Sequence, residues 1–165
     1  MRAVKYISVA AVLAATLLVA AGLEAGSFRR HYYSRWSYYP QRTYHYSYYY
    51  YKPYASYPKY DYHYCVYYPS RPNYVYYYNP YQKSYWGRYD LEQKGYSMLA
   101  EADRKPTLTE IPEEAFPEPS AMPAIPESED GEQMAPPPAP PTETPEGDQP
   151  EGQQPEGQDA PGETE

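Results

Sequence analysis

Apolar positions along this chain fall into stretches of different character, and each predicts a different kind of structure. Ile7–Leu23 is a nearly unbroken apolar run of 17 residues. Between Gly26 and Tyr89 the apolar positions are mostly tyrosines, 24 in 64 residues, with no leucine or isoleucine. In Pro117–Glu165 bulky apolar residues are almost missing. Ordered structure is therefore best sought around the end of the tyrosine-rich stretch, ahead of the tail.

Pro72–Phe116 combines strand-favouring aromatic residues with strong turn signals. Three short strands are predicted there: Tyr74–Tyr78, Ser84–Asp90 and Tyr96–Ala100. Asn79–Lys83 and Gln93–Gly95 provide the turns, and Pro112–Phe116 fits one helical turn with proline first. These signals predict a small antiparallel β-hairpin or three-stranded meander at about residues 74–100, without a large core.

Strict alternation along the second strand assigns its side chains to two faces. One face would carry Tyr85, Gly87 and Tyr89, and the other would carry Trp86, Arg88 and Asp90. We expect Trp86 to stack near Arg88 or Tyr76 and help to hold the sheet.

The rest of the chain is predicted to be mostly disordered and of low complexity. Gly26–Arg71 is tyrosine-rich and basic, and proline interrupts it, so we expect extended, weakly ordered chain. Pro117–Glu165 is an acidic tail rich in Pro, Glu and Gly, with a polyproline segment at Pro136–Pro141. The mature chain offers only nine Leu, Ile, Val and Phe residues, too few for ordinary aliphatic burial.

The N-terminus has the three parts of a secretory signal. Arg2 and Lys5 precede the apolar run, and small residues follow it, so we expect a signal helix in residues 1–25 with cleavage after Ala25. Positive charge just beyond the run, including Arg29 and Arg30, resists translocation and leaves an uncleaved membrane anchor as the alternative. The protein is predicted to be exported, to the periplasm, the cell envelope or the medium.

Charge is distributed unevenly along the chain. Gly26–Tyr89 carries +8 and Asp90–Glu165 carries −17. A basic aromatic block attracts polyanions such as acidic polysaccharide, or the chain's own acidic tail. Alternatively, the tail only keeps the block soluble.

Asp61, His63 and Cys65 alternate, so on a strand they would project from one face. Carboxylate, imidazole and thiolate are ligands for zinc or copper, which makes the three a candidate metal or redox site. Incidental residues of a tyrosine-rich ribbon would give the same pattern. Because Cys65 is the only cysteine, an internal disulfide cannot form.

A second candidate site rests on a resemblance. Val75–Pro80 followed by Tyr85 and Trp86 resembles the second and third strands of a WW domain. The resemblance implies binding of a proline-rich peptide, which the chain's own tail also contains, with Tyr77 and Trp86 as the ligand-facing pair. The family's first Trp is missing here, and Arg88 stands at its conserved proline.

A third pattern spans roughly Val75–Gln133. The motifs Tyr85–Leu91, Gly95–Glu101 and Ile125–Ser128 are similar to small exported Tyr-rich proteins of planctomycete bacteria, which are uncharacterised. This resemblance implies bacterial export and supplies no activity.

Catalysis is not indicated. His31 and His45 lie in low-complexity chain, and there is no nucleophile elbow or phosphate-binding glycine loop. We expect a non-enzymatic structural or adhesive envelope protein that uses tyrosine stacking and needs no cofactor. Its expected partners are envelope polysaccharide or further copies of itself. Nucleic acid is not expected, and a membrane only through an uncleaved N-terminus.

Overall fold

The computed structural model describes residues 29–141. They form one antiparallel sheet of seven strands. The strands are β1 (His31–Tyr33), β2 (Ser37–Tyr39), β3 (Tyr44–Tyr51), β4 (Asp61–Tyr67), β5 (Tyr74–Asn79), β6 (Ser84–Asp90) and β7 (Gly95–Met98). Short 3₁₀ turns lie at Pro40–Arg42, Glu101–Asp103, Leu108–Glu110 and Glu113–Ala115.

The sheet is ordered β1-β3-β4-β5-β6-β7, and β2 also pairs with β3. β1 pairs with the end of β3, at Tyr49–Tyr51, and β2 pairs with its beginning, at Tyr44–Tyr46. Together β1 and β2 act as one interrupted edge strand. The centre of the sheet is β3, β4, β5 and β6, each joined to the next as an antiparallel neighbour.

The expectation of a mostly disordered chain with a small hairpin and no large core is wrong for the described residues. The tyrosine-rich segment supplies four of the seven strands, and the sheet continues across the predicted boundary between residues 71 and 72. The three predicted strands overlap β5, β6 and β7, which are only the second half of the sheet. The error arose because tyrosine rings replace the missing aliphatic side chains in the core.

β3 shows how tyrosine builds this sheet. Its buried residues include Tyr49 and Tyr51 on one face, while Tyr46, Tyr48 and Tyr50 on the opposite face stay half-buried. This period of two is that of a strand with one face well covered and one face partly covered. Tyrosine suits both faces, because its ring fills a core and its hydroxyl tolerates water.

Each face of the sheet carries its own hydrophobic cluster. Residues 117–135, which we call the strap, cover one face, and its cluster is the strap-face cluster. Residues 99–116, which we call the turn segment, cover the other face, and its cluster is the turn-face cluster. Strap residues Ile125 and Met134 pack into the strap-face cluster with Tyr77 and Trp86. The turn-face cluster consists of Tyr44, Tyr64, Val66, Tyr76, Tyr78, Tyr85, Leu99, Leu108 and Ile111.

A β-bulge at Trp86 corrects the predicted faces of β6. Tyr77 pairs with Gly87 and Tyr78 pairs with Tyr85, so Trp86 is an extra residue between them. The bulge puts Tyr85 in the turn-face cluster, whereas Trp86 lies with Tyr89 in the strap-face cluster. Simple alternation instead predicts Tyr85 and Tyr89 on one face and Trp86 on the other. Sequence alternation cannot reveal an inserted position of this kind.

Gly87, next to the bulge, allows β7 to pack closely against β6. A Cβ at Gly87 would lie 2.5 Å from Cζ of Tyr96 and 2.7 Å from the carbonyl oxygen of Ser97. Both distances are shorter than any normal contact, so only glycine lets β7 and the Tyr96 ring approach β6 this closely.

The acidic strap is tied to the sheet by backbone hydrogen bonds and by Arg30. Ser120 and Tyr96 exchange backbone hydrogen bonds at 2.8 and 2.9 Å. The buried Arg30 guanidinium pairs with Asp130, and with Glu132 at 2.7 Å. At least part of the predicted disordered tail is therefore packed structure.

Residues 1–28 and 142–165 lie outside the described part of the chain. The predicted signal segment and the Pro-Glu-Gly repeats fall there. Within residues 29–141 no helix is both long enough and apolar enough to cross a membrane.

Candidate functional site

Beyond the part that the turn segment covers, the turn face carries an array of partly exposed tyrosine rings. We call this array the tyrosine platform; it consists of Tyr32, Tyr46, Tyr48, Tyr50 and Tyr62. Tyr32 is 37% exposed and the other four are half-buried. Because β1, β3 and β4 are neighbours, strand pairing places all five rings on one continuous surface.

Contacts between the rings make the platform continuous. Tyr48 lies at the centre, with ring centroids 5.6 Å from Tyr50, 5.4 Å from Tyr62 and 5.7 Å from Tyr46. Tyr32 stacks on Tyr50 at 5.0 Å. These distances fall in the range for favourable aromatic pairs, so each ring is held by its neighbours.

A cation lies at the edge of the platform. Burial raises the pKa of Tyr48 and of Tyr50, so their phenols stay protonated. Lys52 lies with its Nζ 4.8 Å from the ring centroid of Tyr60, whose ring meets Tyr32 edge-on at 5.1 Å. The surface therefore offers ring faces, hydroxyls and positive charge, which suits stacking together with hydrogen bonding.

Tyr77 and Trp86, the predicted ligand-facing pair, are together but buried. Their ring centroids are 5.3 Å apart in an edge-to-face contact. Tyr77 is completely buried and Trp86 is only 6% exposed. Ile125 and Met134 of the strap pack in the same cluster, so the chain's own tail occupies the surface that a peptide ligand would need. Peptide binding by this pair stays a prediction.

Asp61, His63 and Cys65 lie on β4, and the backbone does place them at alternating positions. Within residues 29–141 no three His, Cys, Asp or Glu side chains are grouped closely enough to hold a metal ion. His63 instead packs edge-on against Trp86 and Tyr51, at 5.5 and 5.2 Å. Asp61 pairs with Lys59 at 3.6 Å.

Burial sets the protonation states of His63 and Cys65. Burial lowers the pKa of His63 to about 3, so the ring is neutral. Burial raises the pKa of the Cys65 thiol, so it stays protonated and poorly nucleophilic. Both side chains serve as core residues in the strap-face cluster.

Sequence reasoning missed the platform as a defined site, although it pointed to tyrosine stacking in general. The signal was present in Tyr44–Tyr51, where every second residue is a tyrosine on the same side of the strand, and in the pair Tyr62 and Tyr64 of Asp61–Tyr67. The run Tyr48–Tyr51 hides this period, because consecutive tyrosines look alike whichever face they occupy.

Comparison with models of protein families, with curated proteins and with solved structures found no match for this chain. The similarity to planctomycete proteins therefore stays a prediction.

Proposed function

We propose that this protein is an exported, non-catalytic component of a bacterial cell envelope that adheres to polysaccharide through its tyrosine platform. The observation that carries the proposal is the row of partly exposed rings on β1, β3 and β4, which contact one another by stacking and by edge-to-face packing. The C–H faces of sugar rings pack on the electron-rich faces of tyrosines, and the phenols bond to sugar hydroxyls. Self-association through the same surface is the competing outcome.

The rigidity of the platform supports this role. Rings held by neighbouring rings lose little further freedom on binding, which lowers the entropic cost of adhesion. The sheet beneath is fixed by the buried tyrosines of β3, so the spacing of the rings is set by strand geometry. The rings of such a surface make the same kind of contact with successive units of an extended polymer.

Retention on isolated cell wall tests the proposal. The double variant Tyr48→Ser and Tyr50→Ser removes two platform rings. A matched control, Tyr38→Ser and Tyr54→Ser, removes two tyrosines that lie outside the platform. At about 1 kcal/mol per stacked ring, wall affinity should fall by about tenfold or more for the platform variant only.

Two results would overturn the proposal. Unchanged retention of the platform variant would remove the surface from any role in adhesion. Equal losses in both variants would mean that general stickiness, and not the platform, holds the protein. If wall affinity is unaffected while the platform variant loses oligomers in sedimentation, self-association takes the place of polysaccharide.

A further inference from the structure

Lys52 lies at one end of the tyrosine platform, and the fold places it on the platform's side of the sheet. It directly follows β3, and its backbone amide donates a hydrogen bond to the carbonyl oxygen of Arg30 at 2.8 Å. The pairing of β1 with β3 therefore continues past the end of β3. Strand alternation then points the Lys52 side chain to the same side as Tyr48 and Tyr50.

A series of contacts links the Lys52 ammonium to the platform rings. Its Nζ lies 4.8 Å from the ring centroid of Tyr60. Tyr60 meets Tyr32 edge-on at 5.1 Å, and Tyr32 stacks on Tyr50 at 5.0 Å. A cation over a ring face uses no hydrogen-bond acceptor, so this contact leaves the three N–H donors of the ammonium for a ligand. The platform thus combines ring faces with a cation held beside them.

The ion pairs of the fold leave Lys52 without a carboxylate partner among residues 29–141. Their acidic members are matched to other basic side chains: Asp130 and Glu132 to Arg30, Asp61 to Lys59 at 3.6 Å, and Glu113 to Arg88 at 2.5 Å. The strap, which carries Asp130 and Glu132, also packs on the face opposite the platform. The charge at the platform edge is therefore open to an anion that a ligand brings.

We propose that the platform binds an acidic polysaccharide, in which a carboxylate carried on a sugar ring pairs with Lys52 while sugar rings pack on the neighbouring tyrosines. This inference rests on the proposed adhesion and names the class of polymer. Side chains two positions apart on a strand are about 7 Å apart, so Lys52 lies one ring's width from Tyr50. In a uronic acid the carboxylate is attached to the ring itself, so one unit reaches both groups. A neutral sugar gains nothing from the ammonium, and an amino sugar is repelled by it.

Polygalacturonate and its methyl ester test the ligand class as a matched pair, because esterification removes the charge and keeps the sugar backbone. Isothermal titration calorimetry on the full chain measures both affinities. An exposed ion pair contributes little and is screened by salt, so at low ionic strength polygalacturonate should bind about threefold to fivefold more tightly. At high ionic strength the preference should vanish. Equal affinities at low salt, tighter binding of the ester, or no binding of polygalacturonate would overturn the inference.

Two lysine variants place the selection at the platform edge. Lys94, the matched control, is exposed in the turn between β6 and β7, outside the platform. Lys52→Gln should abolish the preference for polygalacturonate and leave the affinity for the ester unchanged. Lys94→Gln removes the same charge and should keep the preference. Equal effects of the two variants would mean that net charge selects the polymer, and would contradict the role of Lys52.

The platform variant Tyr48→Ser and Tyr50→Ser separates this inference from the proposed function. It should weaken the binding of both polymers, because each loses ring contacts. If this variant loses wall retention while the wild type binds both polymers equally, adhesion stands and the acidic ligand class is rejected. If it keeps full wall retention and full affinity for both polymers, the proposed function fails and the inference fails with it.

Discussion

Burying a tyrosine also buries its hydroxyl, and the core of this protein deals with that hydroxyl in two ways. The Tyr33 hydroxyl bonds to the Tyr77 hydroxyl at 2.9 Å and donates to the carbonyl oxygen of Ala135 at 2.7 Å. The buried hydroxyls of Tyr49 and Tyr96 find no hydrogen-bond partner among the described residues. An unpaired buried hydroxyl costs about 1–3 kcal/mol, so the two kinds of tyrosine contribute differently to stability.

Removing a hydroxyl should therefore have opposite effects at Tyr96 and Tyr33. Tyr96→Phe deletes an unpaired hydroxyl and should leave the free energy of unfolding unchanged or raise it by about 1 kcal/mol. Tyr33→Phe deletes a bonded hydroxyl and should lower it by about 1 kcal/mol. Urea denaturation followed by tryptophan fluorescence measures both. A larger loss at Tyr96 than at Tyr33 would contradict the assignment.

His63 should make the fold sensitive to mild acid. Its pKa is lowered to about 3 by burial, whereas the unfolded chain has an ordinary value near 6.5. The unfolded state therefore binds the proton more readily, so stability is greatest above about pH 6.5 and declines as the pH falls towards 3. The free energy of unfolding, measured from pH 7.5 to 4, should fall steadily.

The variant His63→Phe separates this effect from other acid effects. It keeps an aromatic ring against Trp86 and Tyr51 but cannot take up a proton. Its stability should depend less steeply on pH than that of the wild type between pH 6.5 and 4. Identical slopes would show that His63 is not the main titrating group. Burial also lowers the pKa of His31 and of His45, so some slope should remain.

Among the strands, the sequence predicted β5, β6 and β7 well, because their turns carry strong signals. Asn79–Lys83 and Gln93–Gly95 end the strands where the structure ends them, within one or two residues. The sequence of β3 and β4 predicts low-complexity chain, since tyrosine there takes the place of the aliphatic residues that usually signal a core. The platform depends on those two strands, so it could not be located without them.

The alternation of β3 predicts which tyrosines are structural. Tyr49 is fully buried, so Tyr49→Ala should cost about 3–5 kcal/mol, the usual loss for a large buried aromatic residue. Tyr48 is half-buried on the platform, so Tyr48→Ala should cost about 1 kcal/mol. Urea denaturation compares the pair. Equal losses would mean that both faces of β3 are equally packed, and that the platform is not an open surface.

At the scale of the whole molecule, the opposite charges of the two halves of the chain help to attach the strap to the sheet. The basic half forms most of the sheet, and part of the acidic half folds back over it as the strap. Arg30 concentrates this attraction: its guanidinium also donates to the Ser128 hydroxyl at 3.3 Å and to the carbonyl oxygens of Lys52 and Pro53.

Arg30→Gln should loosen the strap without unfolding the sheet. The lost guanidinium leaves Asp130 and Glu132 without their shared cation, while Ile125 and Met134 still favour packing. Hydrogen exchange monitored by mass spectrometry should quicken in peptides covering residues 117–135 and stay slow in β5 and β6. Arg29→Gln, at the neighbouring exposed arginine, is the matched control and should exchange like the wild type. If the strap of Arg30→Gln stays as protected as in the control, apolar packing alone holds it, and charge attraction plays no part in its attachment.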